Sequence, residues 1–167
     1  MSKFDVDQGN RDLEETGKPP AWVAEHLRRY RDSGGAEGHL FEATVAGVPG
    51  LVPCLLLTTI GRRSGEQRTS PLFYGTAGEA YVIIGSKGGA DTPPGWYLNL
   101  RANPTAEVQV GREQFTAYAR VATGQERERL WEQMAQMAPP YRDYQQKTQR
   151  ELPLVVLEKQ LPSTETT

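Results

Sequence analysis

The chain has 167 residues, 37% hydrophobic and 24% charged, with a formal net charge of -2. That is enough for one domain with its own core, without the basic excess that a general nucleic-acid binder carries. A single cysteine, Cys54, excludes an intrachain disulfide, and with only His26 and His39 beside it there is no convincing metal set and no cysteine–base pair.

Residues 1–20 mix acids, glycine and the Pro19-Pro20 pair and read as a flexible arm. Residues 163–167 read as a short flexible tail, leaving 21–162 as the single domain. The first 18 residues lack a signal-peptide core and no apolar run reaches membrane-spanning length. A cytoplasmic location is therefore the default expectation.

Residues 21–31, AWVAEHLRRYR, space Trp22, Leu27 and Tyr30 among charges, which predicts a short helix ended near Ser33-Gly34-Gly35. Its basic face (Arg28, Arg29, Arg31) lies in water or makes weak peripheral contact with a membrane surface; Glu25 and Asp32 dilute the charge. HLFEATVAG is a strand or a second amphipathic element. LVPCLLLTT is a strand, with Cys54 in it as a small buried hydrophobe. GRRSGEQR is a polar, glycine-bounded turn. TSPLFYG and AYVIIGS read as two strands joined into a hairpin by Thr76–Glu79. Pro71 belongs at the start or the edge of its strand.

PPGWYLNLRA predicts a short helix, with proline tolerated in its first turn. TAEVQVG and EQFTAYARVA form a hairpin turned at Gly111-Arg112. GQERERLWEQMAQM, residues 124–137, is a helix with Leu130, Met134 and Met137 at helical spacing, ended by Pro139-Pro140. YRDYQQKTQRE is a shorter helical piece and LPLVVLE a last strand. Strands joined by hairpins, with helices as inserts, give an α+β, mainly β class. Regular βαβ alternation is missing, so a compact barrel or curled antiparallel sheet is expected rather than a doubly wound fold.

Two loops carry the chemistry. The run TTIGRRSGEQRTSP offers Gly61 and Gly65 for tight turns, where successive N–H groups can form an anion nest. Thr59, Ser64 and Thr69 add hydroxyls, and Arg62, Arg63 and Arg68 add guanidinium groups suited to phosphate or carboxylate. Neither GxxxxGK[ST] nor GxGxxG is present. After the strand AYVIIG comes SKGGADTPPGW, in which Ser86, Lys87, Gly88 and Gly89 repeat the combination of hydroxyl, cation and bare backbone. Trp96 and Tyr97 offer flat apolar surface and Asn99 an amide; core packing and a local hydrogen bond are the plainer roles for Trp96 and Asn99. A ligand with a ring and an anionic tail fits, and the lack of a clear nucleophile or metal cage agrees with chemistry borne by a cofactor. A non-enzymatic carrier of a phosphorylated small molecule fits the same residues.

The stretches LLLTTIGRRSGEQRTSPLFY, YVIIGSKGGADTPPGWYLNLRANP and YRDYQQKTQRELPLVVLE resemble, in order and spacing, the deazaflavin (F420)-dependent nitroreductase and quinone reductase family of the split β-barrel flavin and deazaflavin oxidoreductases. The resemblance implies an FMN-binding-like split β-barrel with peripheral helices. It also implies a cytoplasmic or membrane-peripheral enzyme that transfers a hydride from reduced coenzyme F420 to a quinone-like, enone or nitroaromatic acceptor. Cofactor contacts are implied for Thr59, Gly61, Arg62, Ser64, Gly65, Arg68, Thr69 and Pro71, then for Ser86, Lys87, Gly88 and Gly89, and for Trp96 and Asn99 near the ring. Trp96, Tyr141 and Tyr144 would line the acceptor side, with Ser86 or Tyr144 hydrogen-bonded to the oxygen where charge develops. Ala138 stands where the nitroreductase type carries a further tyrosine, which implies a more open acceptor side and favours quinones over nitroimidazoles. An FMN enzyme of the same fold, a non-catalytic deazaflavin binder and a haem-handling protein are the alternatives; the assembly is a monomer or a homodimer.

Overall fold

A computed structural model of the chain describes residues 21–42 and 50–160. The expectations for the 1–20 arm, for the tail and for most of HLFEATVAG lie outside those residues. In chain order the elements are helix α1 (Ala21–Asp32), strands β1 (Leu40–Glu42), β2 (Leu51–Ile60), β3 (Gln67–Phe73), β4 (Gly75–Ala77) and β5 (Ala80–Ile84), and a 3-10 turn (Lys87–Gly89). Helix α2 (Gly95–Ala102), strands β6 (Thr105–Val110) and β7 (Glu113–Val121), helices α3 (Gly124–Met137) and α4 (Pro140–Gln146), and strand β8 (Leu154–Lys159) follow.

All strand pairs are antiparallel. The order is β1-β2-β6-β7-β8-β5-β4, with β3 on β2. Only Tyr74 separates β3 from β4, so one bent stretch of chain ties the β2 side of the sheet to the β5 side, and the sheet curls into a split β-barrel. This corrects the expected hairpin. TSPLF pairs with β2 (Leu56 opposite Pro71, Thr58 opposite Thr69), and only the short β4 turns back onto β5. The bend at Tyr74 lets β3 cover β2 while β4 starts a different pairing. Pro71 sits mid-strand, but β3 pairs on β2 alone, so the missing N–H falls on an edge.

Alternation along the strands sorts the core into two layers. Leu55, Leu57, Ile83, Val108, Ala117, Val155 and Leu157 pack with Trp96 and Leu100 of α2 inside the barrel. Val82, Ile84, Leu154 and Val156 face the other way, against Leu130 and Met134 of α3 and Tyr141 of α4. Helix α1 covers Cys54 and Leu56 of β2 with Tyr30, which is fully buried. The Tyr30 hydroxyl donates to the Cys54 carbonyl at 2.9 Å and accepts from the Gly111 N–H at 2.8 Å. On the exposed side Arg28 and Arg29 pair with Glu25, and Arg31 donates to Thr69 Oγ1 at 2.6 Å. Among the described residues no helix is long and apolar enough to cross a membrane.

Candidate functional site

The first loop is the turn between β2 and β3. Gly61 N–H donates to the Glu66 carbonyl (2.7 Å) and Gly65 N–H to the Gly61 carbonyl (2.8 Å). Glu66 N–H donates to Ser64 Oγ (3.1 Å). Gly65 has φ +73, and a methyl group there would meet nothing within 4 Å. The turn therefore spends its glycine amides on closing itself, which corrects the nest expected from the sequence. What it turns outward is side chains: Arg62, Arg63, Ser64 and Arg68 are all exposed, with Glu66 3.5 Å from Arg68.

Asn99, on α2, clips this turn to the barrel. Its Nδ2 donates to Thr59 Oγ1 at 3.1 Å, and its Oδ1 accepts from the Arg62 N–H (3.1 Å) and Nη1 (3.0 Å). Thr59 is fully buried and Asn99 nearly so. Thr59 lies on the inner face of β2, whereas Thr69 points outward: its hydroxyl shares a 2.8 Å hydrogen bond with Thr58 and receives Arg31. Arg68 and Thr69 are consecutive in a strand and so address opposite faces. The hydroxyls expected to gather around one phosphate are thus divided between two sides of the sheet.

The second loop runs from the end of β5 to the start of α2. Lys87 has φ +46, the left-handed region that non-glycine residues rarely adopt, and its Nζ donates to Thr92 Oγ1 at 3.3 Å. Gly89, at φ +85, lies so close to α4 that a methyl group would stand 2.5 Å from the Tyr144 carbonyl oxygen and 2.9 Å from its Cα. Gly89 is thereby brought against the backbone of Tyr144. Tyr141 and Tyr144 meet edge to face at 6.2 Å. Tyr141 is buried in the layer under α3 and α4, and burial pushes its phenol well up. Ala138 is buried in the same layer, so in this conformation it fills core rather than opening a face.

Helix α2 joins the two loops. Its N-cap, Pro94, lies against Gly85, and Asn99, about 6 Å along the axis from Gly95 at 1.5 Å per residue, holds the 61–66 turn. Trp96 packs inward with Leu55 and Ile83, its ring edge to face with Tyr97. Trp96 and Tyr141 therefore belong to different core layers. The structure brings together Arg62, Thr59 and Asn99, and separately Gly89 and the Tyr144 backbone, with α2 as the bridge between the two loops.

Two contacts escaped the sequence reading, those of Arg150 and Arg31. Arg150 donates from Nε to the Ala90 carbonyl (2.7 Å), from Nη1 to Gly85 (3.1 Å) and from Nη2 to Ser86 (2.9 Å). Its partners are backbone atoms, which carry no residue signature, so nothing in the pattern marks it. Arg31 escaped because it reaches Thr69 across 38 positions of sequence. Cys54 is buried, and burial pushes its thiol up, as suits an inert core residue. His26 bonds the Gly38 carbonyl at 2.8 Å and His39 the Tyr74 hydroxyl at 2.7 Å. No metal-binding cluster occurs among the described residues.

Comparison with known proteins agrees with this fold. The F420H(2)-dependent quinone reductase family model matches residues 22–159. An F420H(2)-dependent quinone reductase of Mycobacterium tuberculosis is 39% identical over 135 residues, 79% of this chain and 86% of that protein. Among solved structures, an F420-H2 dependent reductase (FDR-A) is 40% identical with a TM-score of 0.59, over 64% of this chain and 94% of that one. A second, described as a domain-swapped dimer, is 37% identical with a TM-score of 0.61, over 82% and 97%. A haem storage protein of Vibrio cholerae, 13% identical with a TM-score of 0.51 over 84% and 92%, shares the fold alone. The match across nearly the whole described chain, on a split barrel with both loops in place, shows that this protein belongs to the F420H(2)-dependent quinone reductase family.

Proposed function

We infer that the chain is an oxidoreductase that passes a hydride from reduced coenzyme F420 to a quinone-like acceptor. The single observation that carries this is the family match over residues 22–159. The residues present fit such a coenzyme: an exposed, arginine-rich turn with open space at Gly65 suits an anionic tail, and a bare-backbone loop beside tyrosines suits a ring.

The coenzyme, when bound, supplies the hydride and undergoes the redox change itself. The protein supplies grip, orientation and hydrogen bonds. Arg62, Arg68 and Lys87 hold the anionic tail through their side chains, with Ser64 adding a hydroxyl. Asn99 keeps Arg62 in place by bonding both its backbone and its guanidinium. Gly89 lets the ring-side loop, which Ser86 begins, pack directly on the Tyr144 backbone of α4. Ser86 or Tyr144 donates to the acceptor oxygen as negative charge grows there, an interaction stronger in the transition state than in the ground state. The reduced oxygen then takes its proton from water. No covalent intermediate with the protein is needed.

The test is an anaerobic titration with F420 and FMN side by side, followed by a panel of quinones, enones and nitroaromatics on the reduced coenzyme. Micromolar or tighter F420 binding with quinone turnover is expected. A yellow protein that binds only FMN, or tight F420 binding with no turnover on any acceptor, would overturn the reading in favour of a flavin enzyme or a coenzyme carrier.

A further inference from the structure

The loop at 85–91 is held by a device that the mechanism above does not use. Arg150 lies in the connection between α4 and β8, and its guanidinium donates to three carbonyl oxygens of the loop, those of Gly85, Ser86 and Ala90. All three contacts are to backbone, none to a carboxylate. Burial weighs against its charge while nearby Asp91 favours it, and a guanidinium stays protonated in either case. The backbone of Arg150 is itself fixed to α4. Gln145 Nε2 donates to the Arg150 carbonyl at 2.8 Å, and Gln145 Oε1 accepts from the Leu152 N–H at 2.9 Å. A chain of hydrogen bonds therefore runs from α4 through Arg150 to the loop that Gly89 already presses against Tyr144.

The direction of those bonds has a consequence. Every described peptide bond is trans, and in a planar trans peptide the N–H points opposite to its own C=O. A guanidinium that collects the carbonyls of Gly85, Ser86 and Ala90 therefore turns the N–H groups of Ser86, Lys87 and Asp91 away from itself. A cation on the carbonyl side also polarises each amide, making its N–H a better donor.

We propose that Arg150 is a positioning residue: it fixes the 85–91 loop with the Ser86, Lys87 and Asp91 N–H groups directed into the site, where they stabilise the negative charge that develops on the acceptor during hydride transfer. The inference rests on the function proposed above. It assigns Arg150 no contact with the reacting atoms, and places its effect on the transition state more than on binding.

Backbone amide exchange and transient kinetics test it on the full chain, native against Arg150→Met and Arg150→Lys. In the native protein, oxidised F420 is expected to slow exchange across 85–91 and across 61–68. In Arg150→Met the slowing at 85–91 is lost while that at 61–68 persists. F420 affinity changes less than threefold, and the single-turnover rate of hydride transfer to a quinone falls at least tenfold. Arg150→Lys keeps the charge with a compact donor that reaches fewer carbonyls, and recovers part of the rate; it also serves if Arg150→Met does not fold. Unchanged slowing at 85–91 in a folded variant, or equal losses in affinity and rate, would overturn the proposal. A native protein whose 85–91 loop is protected by F420 but which transfers no hydride would instead overturn the reductase reading alone.

Discussion

The two loops on either side of α2 are built as opposites. The 61–66 turn bonds its glycine amides internally and points arginines into solvent. The 85–91 loop collects its carbonyls on one half-buried guanidinium and packs its glycine against a helix backbone. The first arrangement supplies exposed positive charge, which gives affinity and salt sensitivity. The second supplies fixed dipoles, which favour a developing charge without reorganisation. The division assigns grip to the turn and turnover to the loop, and substitutions in each should separate accordingly.

The largest effect is expected at Gly89. A methyl group there would clash with the Tyr144 backbone, at a φ that side chains rarely adopt, so Gly89→Ala should cost about 2–3 kcal/mol of stability and remove most turnover. Denaturant melts with steady-state assays check both; native-like turnover would mean that the loop does not need its contact with α4. Next comes Asn99→Leu, which leaves the buried Thr59 hydroxyl without its donor and Arg62 without its acceptor. About 2 kcal/mol of stability and roughly tenfold in coenzyme affinity should be lost. Calorimetric titration that showed unchanged affinity would detach the clip from the site.

Arg68→Ala and Arg62→Ala should each weaken F420 binding about tenfold, as loss of a charge-assisted contact does, with the rate of saturated enzyme retained. The native affinity should fall as salt is raised, and less steeply in either variant. Tyr144→Phe acts on the other side of the division: acceptor turnover should drop a few-fold with F420 affinity unchanged, and equal kinetics across several quinones would remove its hydroxyl from the reaction. The smallest effect concerns pH. Burial raises Tyr74 to about 12 and pushes Tyr141 up as well, above the unfolded value of about 10. Above that value the unfolded chain binds fewer protons, so the stability these phenols contribute is intact below about pH 10 and is lost as pH rises towards their folded values. Melting temperature followed from pH 8 to 12 should fall only beyond about pH 10, and Tyr74→Phe should flatten the fall.

The barrel was legible because its signals are local. Period-two apolar strands, the Gly111-Arg112 turn and the helical spacing of Leu130, Met134 and Met137 each say what they become. The pairing of β3 was not, because TSPLF suits either neighbour and the bend that chooses between them, at Tyr74-Gly75, has one glycine that reads equally well as the end of the strand TSPLFYG. In the site, the arginine turn and the Ser86–Gly89 loop were visible as composition. Their internal bonding was not: that Gly65 bonds Gly61, that Asn99 faces Thr59, and that Arg150 gathers three carbonyls all depend on backbone atoms, which every residue has. The division of Arg68 and Thr69 between two faces follows from strand alternation once the turn is confined to 61–66, where the sequence had suggested a longer one.

The most direct measurement is anaerobic stopped-flow mixing of the protein, loaded with reduced F420, against a series of quinones of rising electron affinity. Rapid reoxidation of the coenzyme in a single turnover, saturable in quinone and slowed by deuterium at the transferred position, is the expected result. Reoxidation no faster than in the absence of protein, for every quinone in the series, would contradict the assignment of this chain as a reductase.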